Sequence, residues 1–188
     1  MQPFEIVFGG QGGQGVRLAS TILGRACASM GKQVASSAAY GPEVRGTFTR
    51  SEVIVSDEFI VYPRVLRPNV FIALSQEAYD RVAGEVPADG LILYEAETVK
   101  PVLTLGARQL PVPAIRMAGE IGHSGSANMV MLGVVAAITA LVNLDTLKRA
   151  LPNSRRTENE AALQRGWEFG QSVVQRGNEP NAPARTDL

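Results

Sequence analysis

The stretch that decides the fold is G9-G10-Q11-G12-G13-Q14-G15-V16, which directly follows an apolar run over residues 4–8. Residues 10–15 fit G-x-G-x-x-G, a pattern that joins a strand to a helix in dinucleotide-binding folds. Apolar side chains recur at helical spacing from Val16 to Met30, and Gly31 ends that run. The sequence therefore predicts a strand, a glycine-rich turn and a helix whose first backbone amides can bind an anion.

The pattern alone leaves the role of this turn open. A dinucleotide site also needs an acidic residue about 20 positions further on, where it holds the ribose hydroxyls. The predicted second strand, residues 33–37, has no such residue, and Glu43 is the first acidic residue after the turn. Val16 and Arg17 replace the lysine and hydroxyl residue of a Walker A loop. A dinucleotide, another phosphate-bearing group and close packing of helix on sheet remain the three alternatives.

The rest of the chain alternates predicted strands with predicted helices. After a loop at 38–49, strands are expected at 51–55, 70–74, 91–94 and 109–112. Helices are expected at 76–83, capped by Ser75, and near 126–142, 145–150 and 158–175. This order predicts a single-domain α/β protein with an open, mostly parallel sheet, helices on its faces and a Rossmann-like start. The domain is expected to span residues 1–176, and the polar residues 177–188 a mobile tail.

Composition excludes several classes of function. Lysine plus arginine and aspartate plus glutamate number 18 each, which argues against a general nucleic-acid binder. One cysteine, Cys27, cannot form an intramolecular disulfide or hold a cysteine-ligated iron–sulfur cluster alone, and one histidine, His123, leaves no histidine-rich metal site. The apolar stretch 129–142 is shorter than the ~20 residues of a membrane-spanning helix. No secretory signal is present, so a cytoplasmic protein without membrane contact is expected.

A second dense motif is Y40-G-P-E-V-R-G46, followed by Arg50. Proline and two glycines fix the path of a loop, while Tyr40, Glu43 and Arg45 supply an aromatic ring, an acceptor and a planar anion-binding group. Taken alone, the same residues also fit a surface turn with a local Glu–Arg pair.

Five motifs in order make the chain resemble the gamma subunit of the 2-oxoacid:ferredoxin oxidoreductases, closest to the separate gamma chain of the 2-oxoglutarate type. Besides the two above, they are L-S-Q-E-A-Y-D at 74–80, A-N-M-V-M-L-G at 127–133 and N-E-A-A-L-Q-R-G at 159–166. The resemblance runs from about residue 3 to 175. One departure is Thr47, which stands where relatives often continue with glycine.

The resemblance implies a place in a larger enzyme. Such complexes oxidatively decarboxylate a 2-oxoacid with thiamine diphosphate, pass electrons through iron–sulfur clusters to ferredoxin and form an acyl-CoA. By resemblance, thiamine diphosphate lies on alpha and beta subunits and the clusters on a ferredoxin-like subunit. This chain is then a non-redox subunit without catalytic or metal-binding residues, inactive alone, that completes the assembly and helps to bind coenzyme A. A pure scaffold in the same complex and a stand-alone NAD-binding protein are the alternatives.

The residues assigned to the coenzyme A site come from the two motifs. Gly12, Gly13, Gln14 and Gly15 are expected to form a cradle, and the adjacent cleft is expected to be lined by Tyr40, Glu43, Arg45 and Arg50. Cys27 is expected to be a buried thiol, and Asn128 to serve the first turn of its own helix.

Overall fold

The computed structural model describes residues 3–40, 47–102 and 105–177. Its strands are β1 (Phe4–Gln11), β2 (Gln33–Tyr40), β3 (Phe48–Ser56), β4 (Val70–Ala73), β5 (Leu91–Glu95) and β6 (Arg108–Val112). Its α-helices are α1 (Val16–Ser29), α2 (Gln76–Val82), α3 (Ala114–Glu120), α4 (Ala127–Thr139), α5 (Leu144–Ala150) and α6 (Arg156–Gly177). Short 3₁₀ turns follow α2 at Ala83–Glu85 and precede α4 at Ser124–Ser126.

The strands form one sheet in the order β2-β3-β1-β4-β5-β6. Strands β1, β4, β5 and β6 are parallel to one another, whereas β3 is antiparallel to both of its neighbours, β1 and β2. Five strands therefore run in one direction and β3 runs against them. The predicted fold class, an α/β protein with a mostly parallel sheet, is confirmed.

Alternation along the strands divides the core into two layers. Ile6 and Phe8 of β1 pack with α1 and α4 on one face, while Val7 between them packs with α2 on the other. This is the period-two geometry of a strand buried on both sides. The central strands are accordingly apolar almost throughout, and all four residues of β4 are buried.

Helices α4 and α6 are in close contact through glycines. A Cβ atom on Gly166 would lie 2.0 Å from the Val130 carbonyl oxygen, and one on Gly133 would lie 2.3 Å from the Leu163 carbonyl oxygen. Gly170 faces α4 in the same way. The glycines that end the fourth and fifth sequence motifs therefore serve helix packing.

Three predictions about the elements need correction. Strand β1 continues through Gly9, Gly10 and Gln11, because β3 supplies their hydrogen-bonding partners. The loop predicted at 38–49 is shorter, since β2 reaches Tyr40 and β3 begins at Phe48. Helix α3 was not predicted, because the prolines at 111 and 113 obscure its short pattern. Residues 178–188, most of the predicted tail, lie outside the described residues.

Within the described ranges, no helix is both long and apolar enough to cross a membrane.

Candidate functional site: the glycine loop

The glycine loop, residues 12–15, connects the end of β1 to the start of α1. Gly13 and Gly15 have φ angles of 101° and 71°, in the region that favours glycine. The Gly12 amide donates to the Thr47 carbonyl at 2.9 Å, whereas the space where a Gly13 Cβ would lie is open to 4 Å. The loop thus presents the backbone of Gly13 at the start of a 14-residue helix.

Gln14 holds the loop in shape. Its side-chain oxygen accepts from the Gln11 amide at 2.7 Å, and its side-chain nitrogen donates to the Leu74 carbonyl at 3.0 Å. A Cβ atom on Gly10 would lie 2.7 Å from that same oxygen, so Gly10 leaves room for the inward-turned side chain. Gln14 was expected to face a ligand, but its amide instead ties the loop to the end of β4.

Asn128 closes the loop from the opposite side. Its side-chain nitrogen donates to the Gly15 carbonyl at 3.1 Å, across 113 positions of sequence. A Cβ on Gly15 would lie 2.2 Å from that nitrogen. The expectation that Asn128 serves its own helix was wrong, because its hydrogen bond reaches the cap of α1. Its only signal in the sequence is an amide at the start of an apolar helix, where burial demands a partner.

The second motif begins at the end of the sheet where the glycine loop lies. Tyr40 is the last residue of β2 and pairs with Thr49, while Phe48 pairs with Gln11 at the end of β1. Thr47, the departure from the family pattern, supplies the carbonyl that Gly12 binds. Both motifs therefore start from the same end of the sheet, where β1 and β2 finish. Glu43 and Arg45 lie outside the described residues.

Arg50 belongs to a separate charged cluster, the Arg50 cluster, formed by Arg50, Glu52 and Glu85. Its Nε lies 2.8 Å from Glu52, and one terminal nitrogen lies 2.8 Å from both oxygens of Glu85. Burial acts to lower the pKa of Arg50, but the hydrogen bonds and charges of Glu85 and Glu52 outweigh it and raise that pKa. Two carboxylates thus hold a guanidinium that was expected to bind a ligand anion.

The sheet separates the Arg50 cluster from α1. Ser51, the next residue of β3, lies against α1 through a 2.7 Å hydrogen bond to Ser20, so Arg50 points to the face that α2 covers. There it borders a cleft of ≈ 500 Å³ lined by Ser37, Ala38, Arg50, Glu52, Arg64, Val65 and Glu85. Arg50 was expected beside the glycine cradle, but it lies on the face of the sheet away from α1.

The sheet order also argues against a dinucleotide. In dinucleotide-binding folds, the strand after the first helix lies next to the first strand and carries the ribose-binding acid. Here β3 lies between β1 and β2, which places β2 about 10 Å from β1 at the usual strand spacing. The position that would hold the ribose is displaced, in addition to having no acidic residue.

Neither Cys27 nor His123 forms part of this site. Cys27 is buried, as expected, and burial raises the pKa of its thiol to about 11, so the neutral thiol is stable. His123 contacts the guanidinium of Arg155 through Nε2. In the described part of the chain, no three His, Cys, Asp or Glu side chains are grouped so as to hold a metal ion.

These features define a single α/β unit. Its glycine loop is hydrogen-bonded to the carboxyl ends of the parallel strands β1 and β4. The chain belongs to the pyruvate ferredoxin/flavodoxin oxidoreductase family, whose model matches residues 5–169. It is 34% identical over 177 residues to the 2-oxoglutarate synthase subunit KorC of Methanocaldococcus jannaschii, covering 90% of this chain and 95% of that one. The sequence resemblance is thereby confirmed, and the chain is a gamma-type subunit of an oxidoreductase complex.

One solved structure supports the same assignment, and a second shares the fold. The gamma subunit of a keto/oxoacid ferredoxin oxidoreductase from Geobacter sulfurreducens PCA is 31% identical, with a TM-score of 0.78 over 90% of this chain and 99% of that one. The 2-oxoglutarate:ferredoxin oxidoreductase of Magnetococcus marinus, solved with 2-oxoglutarate, coenzyme A and succinyl-CoA bound, is 22% identical. The two structures align over 92% of this chain and 32% of the longer chain with a TM-score of 0.82, which shows a shared fold.

Proposed function

We propose that this chain is the non-redox subunit that helps to bind coenzyme A in a thiamine diphosphate-dependent 2-oxoacid:ferredoxin oxidoreductase. The complex would convert 2-oxoglutarate to its acyl-CoA, with thiamine diphosphate on alpha and beta subunits and iron–sulfur clusters on a ferredoxin-like subunit. The observation that carries the proposal is the glycine loop, where a bare, outward-facing backbone meets the start of α1.

Coenzyme A suits such a loop for two reasons. Its phosphates are anions, which are stabilised by backbone amides and the partial positive charge at the start of a helix. Its pantetheine arm carries amides that pair with backbone groups and need no charged partner. Gly13 leaves open space at this point, so a ligand can approach the main chain closely.

The assignment of residues changes in two respects from the sequence-based expectation, at Gln14 and at Arg50. Gly12, Gly13 and Gly15 would form the cradle, with Gln14 acting from behind to hold its shape. Tyr40, Glu43 and Arg45 would form the adjoining wall, with Arg45 pairing with a phosphate. Arg50 would stabilise β3 from the other face through Glu52 and Glu85, without touching the ligand.

The choice of substrate is supported by the relatives. The Methanocaldococcus relative is a 2-oxoglutarate synthase subunit, and the Magnetococcus enzyme was solved with 2-oxoglutarate and coenzyme A bound.

A pure scaffold is the competing function, and one observation favours it. Gly10, Gln14 and Gly15 all have internal contacts that account for their identity without any ligand. Gly13 separates the two functions, because its glycine conformation presents backbone to open space and makes no packing contact there. A scaffold predicts that protein covers Gly13 in the complex, whereas a coenzyme A site predicts that the ligand does.

Replacing Arg45 with alanine in the purified complex tests the proposal. We expect KM for coenzyme A to rise about tenfold, with KM for 2-oxoglutarate unchanged, because one charged contact to a phosphate is lost. Arg25→Ala is the matched control, since Arg25 is an exposed arginine further along α1. An unchanged KM for coenzyme A in Arg45→Ala would remove Arg45 from the site.

A further inference from the structure

An exposed apolar segment lies between β3 and β4, at the end of the sheet opposite the glycine loop. The strap, residues 59–66, has the sequence F-I-V-Y-P-R-V-L. Its side chains at Phe59, Val61, Tyr62 and Leu66 are 81%, 86%, 58% and 68% exposed. Four large apolar side chains facing solvent within eight residues need an explanation, because isolated globular domains rarely present them together.

Hydrogen bonds from backbone amides hold the C-terminal end of the strap in place. The Glu5 carboxylate accepts from the amides of Leu66 and Arg67, each at 2.7 Å, and the Glu52 carboxylate accepts from the amide of Val65 at 3.4 Å. Val65 packs into the core on the α2 face. Carboxylates from β1 and β3 therefore fix the backbone at the C-terminal end of the strap, while the large side chains point outward. Because this end is ordered before binding, less entropy is lost when a partner covers it.

The exposed area matches the core of a stable interface. At these exposures, the four residues leave roughly 500 Å² open to solvent. A standard interface buries about 800 Å² on each partner, with apolar residues at its centre and polar residues at its rim. A hollow of ≈ 320 Å³ lies between the strap and its neighbours Pro3, Glu5, Ser56 and Glu58, and it can receive an anchoring side chain from that partner.

Charge and composition select the kind of partner. Arg64 is the strap's one charged residue, and it has no ion-pair partner among the residues that the structure describes. A second copy would bring Glu5 and Glu58 beside its strap, but both carboxylates already have partners within their own chain, so neither is free to pair with Arg64. Residues 177–188 contain one large apolar residue, Leu188, so this segment cannot cover two aromatic rings.

We propose that the strap is the docking surface for another subunit of the same oxidoreductase complex, which presents an apolar surface and a carboxylate facing Arg64. This rests on the proposed function only in that the chain works within such a complex. The strap end would then fix the subunit in the assembly, while the opposite end of the sheet stays available to the ligand. In the Magnetococcus enzyme the matching unit is already part of a longer chain.

To test this proposal, the chain is co-expressed with the subunits that copurify with it, and the components are purified. The dissociation constant for their reassembly is then measured. We expect Phe59→Ser with Val61→Ser to weaken reassembly at least tenfold, since such residues at an interface centre carry much of the binding energy. Arg64→Glu should weaken it as well. Val174→Ser is the matched control, because Val174 is an exposed apolar residue on α6. Because the altered side chains face solvent, each variant should keep the wild-type thermal midpoint.

The results separate this proposal from the coenzyme A site. Residual complex assembled at saturating concentration should keep the wild-type KM for coenzyme A, so assembly can fail while the ligand site is intact. Wild-type reassembly of the double variant would overturn the docking surface. The proposal would also be overturned if the isolated chain formed dimers, and the double variant abolished those dimers without affecting reassembly with the other subunits.

Discussion

The two ends of the sheet are built in opposite ways. At the glycine-loop end, side chains turn inward: Gln14 and Asn128 bind backbone groups of the loop and its neighbours, and backbone faces outward. At the strap end, Glu5 and Glu52 bind the backbone from within, and apolar side chains face outward. A surface of backbone suits a polar ligand with phosphates, whereas a surface of large apolar side chains suits a protein partner. One small subunit can therefore carry both tasks without their surfaces overlapping.

The largest expected effect comes from breaking the support of the glycine-loop end. In Gly166→Ala the new methyl group would meet backbone atoms of Val130 and push α4, which carries Asn128, away from α6. We expect the free energy of unfolding to fall by about 3 kcal/mol, because neither helix backbone can yield easily. Denaturant unfolding measures this.

Gly119→Ala is the control for that change. Gly119 lies in α3 and has open space where a Cβ would lie, so alanine should leave stability unchanged or raise it by roughly 0.5–1 kcal/mol. Equal stability of Gly166→Ala and the wild type would show that α4 and α6 are not held at glycine contact distance.

A smaller effect is expected when the Arg50 cluster is broken. Arg50→Ala leaves Glu52, a buried carboxylate, without its cation, and should lower the free energy of unfolding by about 2 kcal/mol. The KM for coenzyme A should stay at the wild-type value, since Arg50 lies on the face away from α1. A raised KM at unchanged stability would return Arg50 to the ligand site and weaken the contrast between the two ends.

The smallest effect is expected at Cys27, which is buried near the end of α1, the helix that starts at the glycine loop. Its pKa is raised from 9.0 to about 11 in the folded chain, so the stability gained by burying the neutral thiol is complete below pH 9 and is lost as pH rises towards 11. Relative to Cys27→Ala, the wild type should lose about 1 kcal/mol between pH 8 and pH 10. Thermal unfolding of both proteins across this range measures the difference, and parallel curves would contradict the burial of the thiol.

Local patterns predicted much of this molecule. The first strand, the turn, helix α1 and the Ser75 cap of α2 are encoded within a few residues of where they occur. Strand β1 was predicted too short because its last three residues depend on pairing with β3, which no local pattern shows. The site was harder for the same reason. Asn128 reaches Gly15 across 113 positions and Arg50 meets Glu85 across 35, so both partners become known only once the chain is folded.

Hydrogen exchange of the purified complex, with and without coenzyme A, tests the division of tasks between the two ends most directly. We expect coenzyme A to slow exchange at residues 12–18 and to leave residues 59–66 unchanged. Comparison of the isolated chain with the complex should show the strap protected by assembly alone. The contradicting result has two parts: the loop is already protected in the complex without ligand, and coenzyme A adds no protection at the loop or at the start of α1. That result would rule out the proposed ligand site and leave the subunit a scaffold.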